Sequence, residues 1–339
     1  MPHRISSPIT TVRAWCRVDL AGGTLDIWPL GLFHPEARTV NVAVDLAVTV
    51  RLRPAGAGAG YRVRQGESVV EAGSAEELSR SPEAALIGVA ASALDLPPFE
   101  AVLASESPRG GGLGASSAMT VAFLTAAEEA FDHPRSQPLE RVAVARDLEA
   151  RLMGLPTGVQ DHYPALLGGA LEIRPAPGGE RVRRLAVDLG ALAASLVVVY
   201  SGQSHFSAGN NWQVVRRRLE AEPEITGLFE GIAATAAELS PALEAGDLPR
   251  VGALMSREWS YRRRLAEGIS TPVLEELLQA AASQGAWGGK ACGAGGGGCL
   301  AILAPPDRWD AVTAALERAG GKLLPARPTG LPLEISSEG

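Results

Sequence analysis

Three features of the sequence predict two domains of mixed α+β type. The first third alternates apolar and polar positions between glycine turns, as half-buried strands do. Three or four helical patterns then follow one another between about 210 and 284. The regular strand–helix alternation of a parallel βαβ sheet does not occur. With 339 residues the chain can build one large or two medium domains, and the best boundary lies at 188–194.

In chain order, Thr11 to Leu20 reads as a strand that ends in a glycine turn. Thr39 to Arg53 alternates as a strand should, and PAGAGAG at 54–60 turns it towards Tyr61 to Val70 as a hairpin. Glu83 to Leu94 has helical spacing, and Phe99 to Ser105 is a short strand. Glycines at 107–114 give way to a helix of small apolar residues, Ala115 to Phe131. Gln137 to Met153 is a second helix, stopped by Gly154 and Pro156. Ala170 to Arg174 and Arg181 to Val187 flank another hairpin turn, and Ser195 to Tyr200 is a buried-type strand. The helices beyond 210 are broken near Pro223, Gly246 and Gly268. A strand at Cys299 to Ala304, a helix at Pro306 to Ala319 and a short strand at Leu333 to Ile335 complete the pattern.

Composition narrows the function. A net charge of −7 argues against partners such as nucleic acid or an anionic membrane, which call for a basic patch. No secretory segment or membrane-length apolar run is evident, so a cytoplasmic protein is expected. Cys16, Cys292 and Cys299 are odd in number and lack metal-ligand spacing, which suits reduced thiols. Of 31 basic residues Lys290 and Lys322 are the lysines. Of 39 glycines, 13 fall in three short segments, at 22–23, 110–114 and 288–298.

The middle segment carries the clearest chemistry. A glycine loop entering a helix exposes unpaired amides at the positive end of the helix dipole, a setting suited to phosphate. Ser116 and Ser117 lie in the first turn, where a hydroxyl can cap the helix or ligate a phosphate-bound Mg²⁺. A Walker A loop is excluded, because Ala115 follows Gly114 where lysine is required. Gly110-x-Gly112-x-x-Ala115 formally fits a dinucleotide fingerprint, but hairpins precede it and no acidic strand end follows about 20 residues on. A structural glycine turn is the remaining alternative.

Pro108-Arg109-Gly110-Gly111-Gly112-Leu113-Gly114-Ala115-Ser116-Ser117 resembles the second motif of the GHMP small-molecule kinases, a family that includes galactokinase and mevalonate kinase. Ala115 stands where the first serine of that motif usually sits, and Ser116 keeps the second, metal-binding one. Arg17-Val-Asp19-Leu-Ala-Gly22-Gly23-Thr24-Leu-Asp26 is similar to the first motif in its sugar-kinase form. Gly23 and Thr24 replace the Glu-His of galactokinases, as in the fucokinase and manno-heptose 7-phosphate kinase branch. Lys290-Ala-Cys-Gly293-Ala-Gly295-Gly296-Gly-Gly298 resembles the third motif. A loop of this kind can leave a row of amides facing phosphate and substrate, and Lys290 either meets a phosphate or is solvated.

Glu149 ends a helix, and Asp161 lies past the following turn, an arrangement suited to a Mg²⁺ ligand and a base. Read alone, Glu149 is an ordinary exposed helix residue. The segment resembles the family's Glu…Gly-x-x-x-Gly-x-x-Asp stretch, and Gln160-Asp161-His162-Tyr163 resembles the heptose kinase branch. The resemblance implies Asp161 and Arg17 as catalytic, residues 108–117 as the ATP loop, and Ser116 with Glu149 as Mg²⁺ ligands. It implies Gly23, Thr24, Asp26, Tyr163, His205, Lys290, Gly295 and Gly296 at the acceptor, with His205 standing where that branch has an arginine.

The implied fold is an N-terminal ATP-binding domain at 1–190, like ribosomal protein S5 domain 2, and a ferredoxin-like C-terminal domain at 191–339. The implied activity is ATP- and Mg²⁺-dependent transfer to a hydroxyl, the anomeric one, of a monosaccharide or sugar phosphate such as a manno-heptose or 6-deoxy sugar, by a monomer or homodimer. A mevalonate- or pantoate-like acid is the alternative acceptor, and a non-catalytic ligand-sensing relative a further reading.

Overall fold

The structure is a computed structural model, and it describes residues 8–132, 137–204 and 208–338. Two antiparallel-rich sheets organise it. The first begins with β1 (Ile9–Ala21) and β2 (Thr39–Pro54), which pair antiparallel over most of their length. It continues with β3 (Tyr61–Gln65), β4 (Ser68–Ala72) and, after the short helices α1 (Ala75–Ser79) and α2 (Ala85–Ala93), β5 (Phe99–Ser105). Helices α3 (Ala115–Ala130), α4 (Pro138–Met153) and α5 (His162–Leu167) follow, then β6 (Ala170–Ala176) and β7 (Gly179–Arg184). The expected hairpin at 170–187 is present as the β6–β7 pair.

The other expected hairpin is not. One edge of β2 is taken by β1; along the other lie β6 at its start and β5 at its end. That leaves β3 to pair in parallel with β5. A left-handed Gly66 (φ +59°) folds the 61–70 stretch on itself, so β3 pairs with β4 rather than with β2.

After α6 (Leu189–Ala193), the second sheet takes β8 (Leu196–Tyr200), and the helices α7 (Ala208–Leu219), α8 (Pro223–Glu244), α9 (Leu248–Arg262) and α10 (Pro272–Ser283) come next. The sheet is completed by β9 (Gly288–Ala291), β10 (Cys299–Leu303) and, after α11 (Trp309–Arg318), β11 (Lys322–Leu324), in the order β11-β8-β10-β9. The last strand, β12 (Glu334–Glu338), returns to pair with β1 in the first sheet. A cut near 190 therefore falls between the two sheets but leaves β12 on the far side.

The two halves share their cores. Leu25, Ile27 and Leu30 from the first half pack with Phe229 and Trp259. Ala236, Leu239, Val251 and Met255 of α8 and α9 pack with the first sheet's core. Helix α3 is the hub of that core. Ten successive residues from Ala118 to Ala127, mostly small or apolar, are buried all round, which leaves its first turn held rigidly at the mouth of a cleft.

Candidate active site

The cleft is a cavity of about 530 Å³. Its walls come from the turn after β1, the loop between β5 and α3, the end of α4 with the loop into α5, and the loop between β9 and β10. All ten residues from Pro108 to Ser117 line it, together with Arg17, Thr24, Asp26, Glu149, Asp161 and Gly295. Residues from all four resembling segments thus converge on one space.

The loop at 108–117 is anchored through its carbonyls. Gly111 accepts from the Cys299 amide at 2.8 Å and Leu113 from the Arg17 amide at 2.9 Å, while the Gly112 carbonyl accepts from the Arg17 guanidinium. With acceptors turned to the protein, the donors of the last loop residues and of the first turn of α3 are turned to the cavity. Gly114, the N-cap of α3, has φ +74°. That conformation favours glycine, and a Cβ there would lie 3.1 Å from the Asp161 side chain and press on it.

Asp161 is the N-cap of α5, and its Oδ1 lies 2.6 Å from Arg17 Nη2. Arg17 is buried and Asp161 is partly open to the cavity. The ion pair thus sits directly beneath the glycine loop. Asp26 Oδ2 accepts from the Val159 and Gln160 amides at 2.7 and 2.9 Å, which fixes the loop carrying Asp161. Gly158 allows this approach, since a Cβ there would sit 1.9 Å from Asp26 Oδ2. Asp26 Oδ1 has no protein partner. Burial, reinforced by the Asp161 charge, outweighs the amides and pushes the Asp26 carboxyl up to about 6.

Glu149 is buried at the other wall. It accepts from Ser117 Oγ and Thr120 Oγ1, both at 3.0 Å, and its Oε2 is 3.5 Å from His162 Nε2. Burial raises its pKa, but His162 and the two hydroxyls outweigh this and hold it below the usual carboxylate range. Ser116 is exposed at the cavity wall. Hydroxyl and carboxylate oxygens fit a hard cation. Among the described residues no three His, Cys, Asp or Glu side chains converge, so the donors suit Mg²⁺ shared with phosphates rather than a cage of protein ligands.

Several expected acceptor residues are elsewhere. Lys290 is fully buried, with Nζ 2.7 Å from Asp19 Oδ2 and 3.3 Å from Glu258 Oε2. It is neither solvated nor at the cavity, because a buried ammonium needs carboxylate partners. Tyr163 is buried and donates to Glu180 Oε2 at 3.1 Å, away from the cavity lining. The Gly296 amide is bonded to the Ile269 carbonyl at 2.6 Å, and the Gly298 amide to that of Gln203 at 2.8 Å. Two amides of the expected row are therefore turned into the protein, while Gly293, Ala294, Gly295 and Gly297 line the cleft. Gly23 supports the turn beside Thr24 without lining the cavity. His205 lies outside the described residues.

Thr120, His162, Glu258 and Arg262 were not marked by the sequence reading. Thr120 follows Ser116 by four residues and so shares its helix face. Glu258 and Arg262 are an ordinary i, i+4 pair, and nothing in their sequence spacing reveals that both are buried.

Two family models match the chain in order: the GHMP kinases N terminal domain over residues 83–169 and the GHMP kinases C terminal over 239–322. The chain belongs to the GHMP kinases. Among curated GHMP kinases, a mevalonate kinase of Pyrococcus abyssi is 32% identical over 243 residues, 70% of this chain and 66% of that protein. A D-glycero-alpha-D-manno-heptose 7-phosphate kinase of Campylobacter jejuni is 25% identical over 221 residues, 64% of each. The aligned part thus spans just under two thirds of these relatives' length. A solved structure, the Lin0012 protein from Listeria innocua, shares the fold with a TM-score of 0.79 at 18% identity, covering 97% of this chain and 99% of that one. The two-domain GHMP kinase fold expected from the sequence is thereby established, and no helix of the described residues is long and apolar enough to cross a membrane.

Proposed function

We propose that this GHMP kinase transfers the γ-phosphoryl of ATP to a hydroxyl of a small molecule, with a monosaccharide or sugar phosphate as acceptor. The observation that carries the proposal is the Asp161–Arg17 ion pair, packed against a glycine loop whose amides face the same cavity as Asp26.

In this reading the amides at 112–117 bind the ATP phosphates, with the α3 dipole behind them. The apolar wall formed by Ile87, Leu103, Met119 and Leu155 suits the purine ring. Ser116 and Glu149 would hold Mg²⁺, which neutralises phosphate charge when bound. Asp161 orients the acceptor hydroxyl and takes its proton as the new O–P bond forms and the bond from the γ-phosphorus to the bridging oxygen of ADP breaks. Arg17 is placed to offset the charge on the transferring group. Asp26 lines the cavity, and its buried Oδ1 has no partner in the protein, which suits it to accept from an acceptor hydroxyl seated against it.

The similarity to a mevalonate kinase favours an acid acceptor as a second reading. The buried cations beside the acceptor turn are already engaged, Arg17 with Asp161, Arg262 with Glu258 and Lys290 with Asp19, which favours a neutral sugar over an anionic acceptor, whether mevalonate or a sugar phosphate. A coupled assay of ATP turnover over free sugars, sugar 6- and 7-phosphates, mevalonate and other hydroxy acids separates the two. A sugar or sugar phosphate is expected to stimulate turnover. Stimulation by mevalonate alone would replace the sugar reading, and none by any compound would remove the kinase reading.

A further inference from the structure

Behind the acceptor turn lies a set of buried charges that the transfer chemistry does not use. Asp19 and Glu258, with Lys290 and Arg262, are at most 1% exposed. Two of them, Glu258 and Arg262, come from α9 in the second half of the chain, yet they hold the turn that follows β1. Arg262 Nη2 donates to the Gly23 carbonyl at 2.7 Å, and Nη1 donates to Thr24 Oγ1 at 3.1 Å. Glu258 Oε1 accepts from Arg262 Nε at 2.9 Å and from the Gly22 amide at 3.3 Å. Lys290 in turn bridges Glu258 and Asp19.

Three successive residues of one turn are therefore bonded from α9. The turn needs such holding, because Thr24 has φ +76°, a conformation that a β-branched residue persists in only when its surroundings impose it. Thr24 lines the cavity and Asp26 follows two residues later.

We propose that Arg262 is a positioning residue for acceptor recognition: through the Gly23 carbonyl and the Thr24 hydroxyl it locks Thr24 in its left-handed conformation, Glu258 orients its guanidinium, and Lys290 fixes Glu258. The kinetic arm of the proposal rests on the kinase reading above. Lysine at 262 would keep the charge but lose the planar fork that reaches Glu258, Gly23 and Thr24 together.

The test compares wild type with Arg262→Lys and Arg262→Met. It measures hydrogen exchange in the peptide covering 20–28, ATP affinity by calorimetry, and kinetics with whichever of galactose, manno-heptose 7-phosphate or mevalonate the wild type turns over. In Arg262→Met, exchange at 22–26 should rise at least tenfold and the acceptor KM tenfold or more, with the ATP Kd within twofold of wild type. Arg262→Lys should fall between, and it carries the test alone if Arg262→Met does not fold. Unchanged exchange overturns the proposal, as does faster exchange with an unchanged acceptor KM. Equal losses of ATP affinity and acceptor affinity would reveal a merely structural role and also overturn it. If the wild type turns over none of the three, the acceptor that the wider panel identifies takes their place; if that panel yields none, the kinase reading is what fails, and the exchange measurement alone decides whether Arg262 holds the turn.

Discussion

Two glycine-rich loops meet at the cleft, and they are anchored to the protein through different backbone groups. The loop at 108–117 gives its carbonyls to the protein, to Cys299 and Arg17, and leaves amides facing the cavity. The loop at 293–298 instead gives two amides, those of Gly296 and Gly298, to the Ile269 and Gln203 carbonyls, and lines the cleft with Gly293, Ala294, Gly295 and Gly297. Both contain left-handed glycines, and a Cβ at Gly298 would come within 3.0 Å of the Gly110 and Gly111 carbonyls. Glycine content alone thus identifies where backbone packs closely. Which group of the peptide faces outward decides whether the loop can bind an anion.

The largest effect is expected at the ion pair beneath the first loop. Asp161→Asn should lower acceptor-dependent turnover about 10³-fold, the scale of a lost general base, while ATP affinity measured by calorimetry stays within twofold. Unchanged turnover would remove Asp161 from the chemistry. Next come the two glycine variants, which separate the loops. Gly114→Ala forces a Cβ against Asp161 at the left-handed N-cap, so it should weaken ATP binding and turnover together by roughly 10- to 100-fold, about 1.4 kcal/mol per decade. Gly295→Ala meets the Ile269 carbonyl at 2.5 Å instead, and should appear chiefly as lost stability of ~1–3 kcal/mol in denaturant titration. If Gly295→Ala left stability intact and abolished ATP binding, the contrast between the loops would be wrong.

The smallest effect concerns pH. The Asp26 carboxyl is pushed up to about 6 from an ordinary 3.8, so the folded state binds more protons there than the unfolded state between those values. Its contribution is therefore greatest below about 4 and is lost as pH rises through about 6. Asp26→Asn should flatten that part of the stability–pH curve and raise stability at pH 7.5, while weakening acceptor binding. A curve unchanged between pH 4 and 7 would show that Asp26 is not held at a cost.

The sequence made some of this legible and hid the rest for physical reasons. The glycine-to-helix transition at Gly114, the acid past the Gly154 stop and Arg17 were readable because their local pattern and their chemistry coincide. Strand existence was readable from alternation, but partners were not: β3 lies beyond β5 and β12 returns to β1, both through contacts distant in sequence. Lys290 stood out as one of two lysines, yet its partners Asp19 and Glu258 come from two other elements, β1 and α9. The direction of an amide is set by tertiary packing, so the motif resemblance at 293–298 marked a place in the cleft without revealing which backbone groups face it.

The most direct measurement is a titration of ¹⁵N-glycine-labelled protein with a non-hydrolysable ATP analogue and Mg²⁺. Large amide shifts are predicted at Gly112 and Gly114, with Gly296 and Gly298 nearly unmoved. Shifts centred on Gly296 and Gly298, with Gly112 and Gly114 unmoved, would contradict the assignment of the first loop as the phosphate site.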